Sequence, residues 1–174
     1  MAEFVVLVDK SGAPIGLEEK MAAHEKGLLH LAFSIFVFNK NGELLLQRRA
    51  AKKYHSGGLW TNTCCSHPRK GEDVAQAAHR RLAEEMGFDC ALREAYVFTY
   101  KAKLDHGLTE HEFDHVFFGN YDGSIKPNPK EVDGYRWISL GELEKEVAVQ
   151  PQKFTAWFKV TLPEMLRRRK HAKH

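Results

Sequence analysis

The sequence predicts a single α/β (α+β) domain built on one mixed β-sheet, and three observations predict it. Strand-like and helix-like segments mix along the chain without strict alternation. The 174 residues, 43% of them hydrophobic, suffice for one compact domain over 1–174 and are short for two. No internal repeat, low-complexity tract or Pro/Gly-rich linker divides them.

The elements follow in order. FVVLV at 4–8 reads as a strand. HLAFSIFVF at 30–38 is a longer one that runs into Asn41-Gly42, a strong hairpin signal, and ELLLQR at 43–48 returns as the second arm. After a Gly57-Gly58 loop, WTNTCCSH at 60–67 alternates like a short strand. Residues 72–86 read as a helix that stops at Gly87. Strands at roughly 95–103 and 112–121 precede a short GYRWIS strand, and the end of the chain reads helical. At about 100° per residue, Ala75, Ala78, Leu82 and Met86 form an apolar stripe on the 72–86 helix. Arg81 and Glu85, an i, i+4 pair, sit on its shoulder, with Arg80 and Glu84 turned to solvent.

Composition excludes several classes. Glu3 precedes the apolar run at 4–8, with no basic leader and no small-residue cleavage site, so no targeting signal is expected. The longest uncharged stretch, 27–39, contains His30 and falls short of the roughly 20 residues a spanning helix needs. A soluble protein without a membrane partner follows. Three cysteines, two adjacent, make a poor disulfide framework and suit a reducing cytoplasm. The net charge of +3 rests on a tail carrying Arg167, Arg168, Arg169, Lys170 and Lys173, without which the chain is net negative. Such a tail reads as a solvated, frayed helix end, so no nucleic-acid partner is expected.

Metal-type residues recur at spacings that share a face. Side chains alternate in a strand, so Cys65 and His67 project together, as do Glu110 and Glu112. His24 and His30 flank the start of the long strand, and three imidazoles with two carboxylates make a suitable cage for Zn²⁺ or Mn²⁺. Asp114 lies on the face of Glu112, and His111 and His115 on the other, so spacing alone does not choose the ligands. By the same alternation Cys64 faces away from Cys65, toward the core.

Seven segments, in order, resemble the type 1 isopentenyl diphosphate isomerase family of the Nudix superfamily. They are EEKMAAH (18–24), LLHLAFS (28–34), LLLQRRAAKK (44–53), WTNTCCSHP (60–68), RRLAEEMG (80–87), TEHE (109–112) and KFTAWF (153–158), and TNTCCSHP is the most specific. The resemblance implies a Nudix-like mixed β-sheet packed between helices. It implies Cys65 as the catalytic thiol and Glu112 as the second proton-transfer group, with Tyr100 as a relay. His24, His30, His67, Glu110 and Glu112 are then ligands of one tightly bound metal, and Glu85 a ligand of a Mg²⁺ that arrives with the diphosphate. Lys20, Arg49, Lys53 and Arg81 match the diphosphate positions, and Trp157 belongs to an aromatic wall.

The wider Nudix pattern can be laid on Ser66 through Phe88, with two departures: Ser66 replaces its first glycine and Arg81 the glutamate after the arginine. A cation at 81 undermines the alternative reading, a pyrophosphohydrolase of a nucleoside diphosphate derivative, whose acidic cluster holds metals for attack by water. It suits an isomerase, where Arg81 neutralises a diphosphate that must stay intact. Moving an unactivated double bond through a tertiary carbocation needs two proton-transfer groups, exclusion of water and an electron-rich wall. The resemblance implies a small prenyl diphosphate substrate; oligomeric state, monomer or homodimer, is open.

Overall fold

A computed structural model describes residues 1–171; Lys173, the last cation of the basic tail, lies outside the described residues. Nine strands form one mixed sheet among the described residues: β1 (Phe4–Val8), β2 (Pro14–Glu19), β3 (His30–Phe38), β4 (Leu44–Arg49), β5 (Trp60–Thr61), β6 (Cys64–Ser66), β7 (Leu92–Lys103), β8 (Thr109–Asn120) and β9 (Val132–Ile138). The helices are α1 (Lys20–Lys26), α2 (Val74–Met86), α3 (Leu140–Val149) and α4 (Ala156–His171). The organising pair is parallel: β3 runs alongside β8 from His30↔Glu112 to Phe38↔Asn120. The long hairpin partner β7 lies antiparallel on the far side of β8, β6 pairs antiparallel with β3, and β4 with β9.

Strand β3 reads as a nearly continuous apolar run because both its faces are covered, as expected for a parallel strand inside a sheet. Phe33, Ile35 and Val37 point to one side, where Ala77, Ala78, Leu82 and Met86 of α2 close over them. Phe36 and Phe38 point to the other, against Trp157, Phe158, Leu162 and Met165 of α4 and Leu143 of α3. Each of the buried Val, Leu, Ile, Phe and Met side chains among these contributes roughly 1.5–3 kcal/mol. The sheet is thus packed between helices, as the family resemblance implies.

Local signals explain the element ends. The Asp73 carboxylate caps α2 by accepting from the amides of Ala75 and Gln76, so the helix begins two residues later than its sequence pattern suggests. Gly87 ends it at φ +72°, and a Cβ there would lie 2.0 Å from the Lys126 carbonyl oxygen, so only glycine fits. Ser139 caps α3 through the Glu142 amide, and the Thr155 hydroxyl accepts from the Phe158 amide at the start of α4.

Three expectations need correction. Strand β2 and the short helix α1 are absent from the sequence pattern yet present. Ala75, in the first turn of α2, is exposed, and Ala77 is buried instead. The basic tail is helical through His171 rather than frayed: Arg167 and Arg168 bond Glu164 at 2.6 and 2.8 Å, and Arg169 lies over the Phe38 ring.

Candidate active site

The carboxyl-terminal part of α1, the first residue of β3, the segment after β6 and the first half of β8 meet at one end of the sheet. The parallel register sets His30 beside Glu112, and the β3–β6 register sets Ser34 beside Cys65. Alternation along β6 carries His67 to the side of Cys65. His24, His30, His67 and Glu112 consequently offer ligand atoms all within 4.8 Å of one another. The Nε2 atoms of His30 and His67 are 3.2 Å apart, and Glu112 Oε1 lies 3.1 Å from His67 Nε2 and 3.6 Å from His30 Nε2.

The donor chemistry fits a divalent ion. His24 Nδ1 donates to the Lys20 carbonyl at 2.7 Å and His30 Nδ1 to the Leu28 carbonyl at 2.9 Å, which leaves each Nε2 lone pair turned inward. Burial pushes the His67 imidazole down to about 4 and the His24 imidazole below its ordinary range, so both are neutral at pH 7. Burial would raise the Glu112 carboxyl, but its contacts with His30 and His67 outweigh it and hold that group well below the carboxylate range. Three imidazoles around an ionised carboxylate suit Zn²⁺ or Mn²⁺.

Glu110 stands outside that group. The antiparallel register of β7 and β8 sets Tyr100 opposite Glu112, and its hydroxyl lies between the two carboxylates, in contact with Glu110 Oε1 and 2.7 Å from Glu112 Oε2. One hydroxyl proton cannot serve two ionised carboxylates. Burial and the neighbouring Glu112 raise the Glu110 carboxyl well above its usual range.

On the same face, Cys65 Sγ lies 2.9 Å from Asn62 Oδ1 and 3.6 Å from Ser34 Oγ, and burial pushes its thiol well up. Asp114, beneath it, bonds Ser34 Oγ at 2.8 Å. His111 and His115 lie on the opposite face, bonded to the Gly27 carbonyl and Glu94. Cys64 is fully buried, as alternation predicts, but it is more than a small hydrophobe: its Sγ lies 3.4 Å from Glu85 Oε2.

Of the thirteen residues singled out in the sequence, eleven line one cleft, and His30 and Tyr100 lie directly behind it. Trp157 forms a wall at 3% exposure, with the Arg49 guanidinium 5.0 Å from its ring centre. Lys20, Lys53 and Arg81 also line an adjoining cleft of 410 Å³. Each is held by a carboxylate: Lys20 by Glu3 at 2.9 Å, Lys53 by Glu131, and Arg81 by Glu84 and Glu85 at 2.7 and 2.5 Å. Glu85, buried on α2, also accepts from Gln47 Nε2 at 2.9 Å.

The sequence pattern missed His55, Asn62 and Glu131. His55 carries no motif, and its place 5.5 Å from the Trp157 ring and 6.1 Å from the His24 ring arises from a loop. Glu131 approaches Lys53 across 78 positions, which no local spacing encodes. Asn62 sits within TNTCCSHP and bonds Thr61, Cys64 and Cys65 of that segment as well as Ile35 of β3, but spacing alone does not say that its side chain turns inward.

Comparison with known proteins places these features in context. The NUDIX domain profile matches residues 28–158. The chain is similar to the isopentenyl-diphosphate Delta-isomerase 2 of Aromatoleum aromaticum, 53% identical over 95% of this chain and 88% of that protein. The isopentenyl-diphosphate Delta-isomerase of Pectobacterium atrosepticum is 53% identical over 90% of this chain and 88% of its own length. Among solved structures, a protein from Deinococcus radiodurans covers 95% of this chain and 98% of its own at a TM-score of 0.76 and 19% identity. A MutT protein from Methanosarcina mazei covers 82% of this chain and 96% of its own at 0.66 and 22%. At those identities the likeness is one of fold.

Proposed function

We propose how a chain that belongs to the NUDIX family, and within it to the isopentenyl-diphosphate Delta-isomerases, carries out its reaction. The chain isomerises isopentenyl diphosphate to dimethylallyl diphosphate. A proton is added to the terminal alkene carbon, a tertiary carbocation forms, and a proton leaves the carbon next to the oxygen-bearing one. The observation that carries the assignment of groups is that a thiol, Cys65, and a carboxylate with a phenol behind it, Glu112 and Tyr100, line one cleft below a cluster of cations.

Cys65 and Glu112 divide the two proton transfers. Tyr100, 2.7 Å from Glu112 Oε2, passes protons between Glu112 and Glu110. Trp157 supports the carbocation with its ring face, worth on the order of 2 kcal/mol for a desolvated cation. The buried wall it forms also keeps out the water that would trap the cation. Lys20, Arg49, Lys53 and Arg81 hold the diphosphate at the mouth, their charge matching its oxygens.

His24, His30, His67 and Glu112 would hold a Zn²⁺ or Mn²⁺. Glu110, bonded to Tyr100 outside that group, would join them as a fifth donor only by turning toward the ion, and Glu85 would meet a Mg²⁺ carried by the diphosphate. When bound, the tight ion keeps Glu112 ionised and its carboxylate fixed. A hydrolase would draw on a fuller set of helix carboxylates for water-activating metals, whereas here a cation, Arg81, stands at a position where the Nudix pattern has a glutamate and bonds Glu84 and Glu85. Three free cysteines suit a reducing cytoplasm as the site of action.

The test is incubation of the protein with isopentenyl diphosphate and Mg²⁺ in deuterated water, followed by NMR. Dimethylallyl diphosphate carrying solvent deuterium is the expected product. Release of phosphate or pyrophosphate without it would overturn the reading in favour of hydrolysis.

A further inference from the structure

From the hydrogen bonds around the thiol, we infer that Asn62 is a positioning residue that aims the Cys65 S–H and fixes its distance from the Trp157 wall. Asn62 is fully buried, and each of its side-chain contacts has a fixed polarity. Its Nδ2 lies 3.1 Å from the Ile35 carbonyl oxygen and 3.0 Å from the Cys64 carbonyl oxygen, two groups that can only accept. The amide is therefore oriented without ambiguity, and Oδ1 is left to accept. It takes one bond from the Thr61 hydroxyl at 2.9 Å and one from the Cys65 thiol at 2.9 Å. With both lone pairs used, Asn62 holds the sulfur by its proton and offers nothing that would orient it otherwise.

The same chain of bonds continues to the opposite wall. The Thr155 hydroxyl reaches Thr61 Oγ1 at 3.2 Å, and the Thr155 amide donates to the Trp60 carbonyl at 3.0 Å. Thr155 caps α4, and Trp157 follows two residues later. Asn62 thus links sulfur to the helix that carries the aromatic wall, and all three polar side chains in the link are at most 2% exposed. Ser34, 3.6 Å from the sulfur on the other side, completes the seat. A buried network with every member satisfied specifies one geometry, because any departure strands a donor or acceptor.

This inference rests on the catalytic reading of Cys65, and the experiment separates the two. Asn62→Ala and Asn62→Asp are compared with Cys65→Ala for turnover, Michaelis constant, tight-metal content and folded fraction. Misplacement of a reacting group by about 1 Å can cost on the order of 100-fold. Both Asn62 variants are expected to lose about that much in kcat per folded, metal-loaded molecule, with KM and metal content unchanged. A purely structural role would reduce the folded fraction and leave kcat per folded molecule intact, which would overturn the inference. Should the Asn62 variants fail to fold, Thr61→Val removes one donor to Oδ1, and a loss of kcat restored by Thr61→Ser supports the link, whereas wild-type kcat in Thr61→Val refutes it. Full activity in Cys65→Ala would sink the catalytic reading itself; an inactive Cys65→Ala beside fully active Asn62 variants would sink only the positioning role.

Discussion

His55 makes the acid stability of this protein predictable. Its ring is 5% exposed, wedged between Tyr54 and Trp157 at 4.4 and 5.5 Å, with Nδ1 bonded to Ser56 Oγ at 3.1 Å. Burial, then the Arg49 guanidinium and His24, push this imidazole down to about 3. In the unfolded chain an imidazole titrates near 6.5, so between about pH 6.5 and 3 the unfolded state binds a proton that the native state refuses. Stability from His55 is therefore fully present above about pH 6.5 and is lost as pH falls. At pH 5 the gap of about 1.5 units corresponds to a loss on the order of 2 kcal/mol relative to pH 7. For a domain of this size that is roughly 4–8 °C in Tm. Denaturant unfolding of wild type and His55→Gln at pH 7 and pH 5, at matched metal loading, isolates the effect because other titrating groups cancel in the difference. Wild type should lose about 2 kcal/mol more than the variant on acidification. Parallel losses in the two proteins would refute the argument.

Four further outcomes follow from the site and its supports. Cys65→Ala should lower turnover by about 10²–10⁴ while leaving metal content intact, whereas Cys64→Ala should turn over close to wild type at a cost on the order of 1 kcal/mol in unfolding free energy; steady-state rates on metal-replete protein check both. His67→Ala should lose most of the tight metal by elemental analysis, while Glu85→Gln should keep it and need more Mg²⁺ for half-maximal rate. Arg81→Glu places a fourth carboxylate beside Glu84, Glu85 and Glu131, and should raise KM without creating phosphate release. Gly87→Ala should lower stability by more than the roughly 1–2 kcal/mol of a left-handed alanine, since its Cβ also meets the Lys126 carbonyl; calorimetry reads the shift.

The sequence made legible whatever is encoded locally. Asn41-Gly42 announced the β3–β4 turn, and Gly87 the end of α2, because each supplies a backbone conformation other residues avoid. Strand β2 escaped notice because five of its six residues are exposed and its pairing with β1 leaves no buried alternation to detect. Helix α1, only seven residues long, is too short for a periodicity. At the site, alternation correctly grouped Cys65 with His67 and Glu110 with Glu112, yet could not rank the two glutamates. That ranking depends on Tyr100, which reaches them from β7 and holds Glu110 apart from the histidines. The carboxylate partners of the cations were equally invisible, since Glu3 to Lys20 and Glu131 to Lys53 are fixed by the meeting of distant segments.

The parallel pairing of β3 with β8 also dictates when the cluster of His24, His30, His67 and Glu112 can come into being. His30 and Glu112 are neighbours only after a loop of some 80 residues has closed, and such non-local parallel pairings form slowly. His24 and His67 must then arrive from two further segments. An ion with that ligand set therefore recognises a chain that has already passed its folding barrier and has little hold on the ensemble before it. It should leave the refolding rate nearly unchanged and slow the unfolding rate, since interactions absent from the transition state act on unfolding alone. Occupancy of the cage would then govern how long each molecule survives once folded, and a chelator would shorten that lifetime without altering how readily the chain folds.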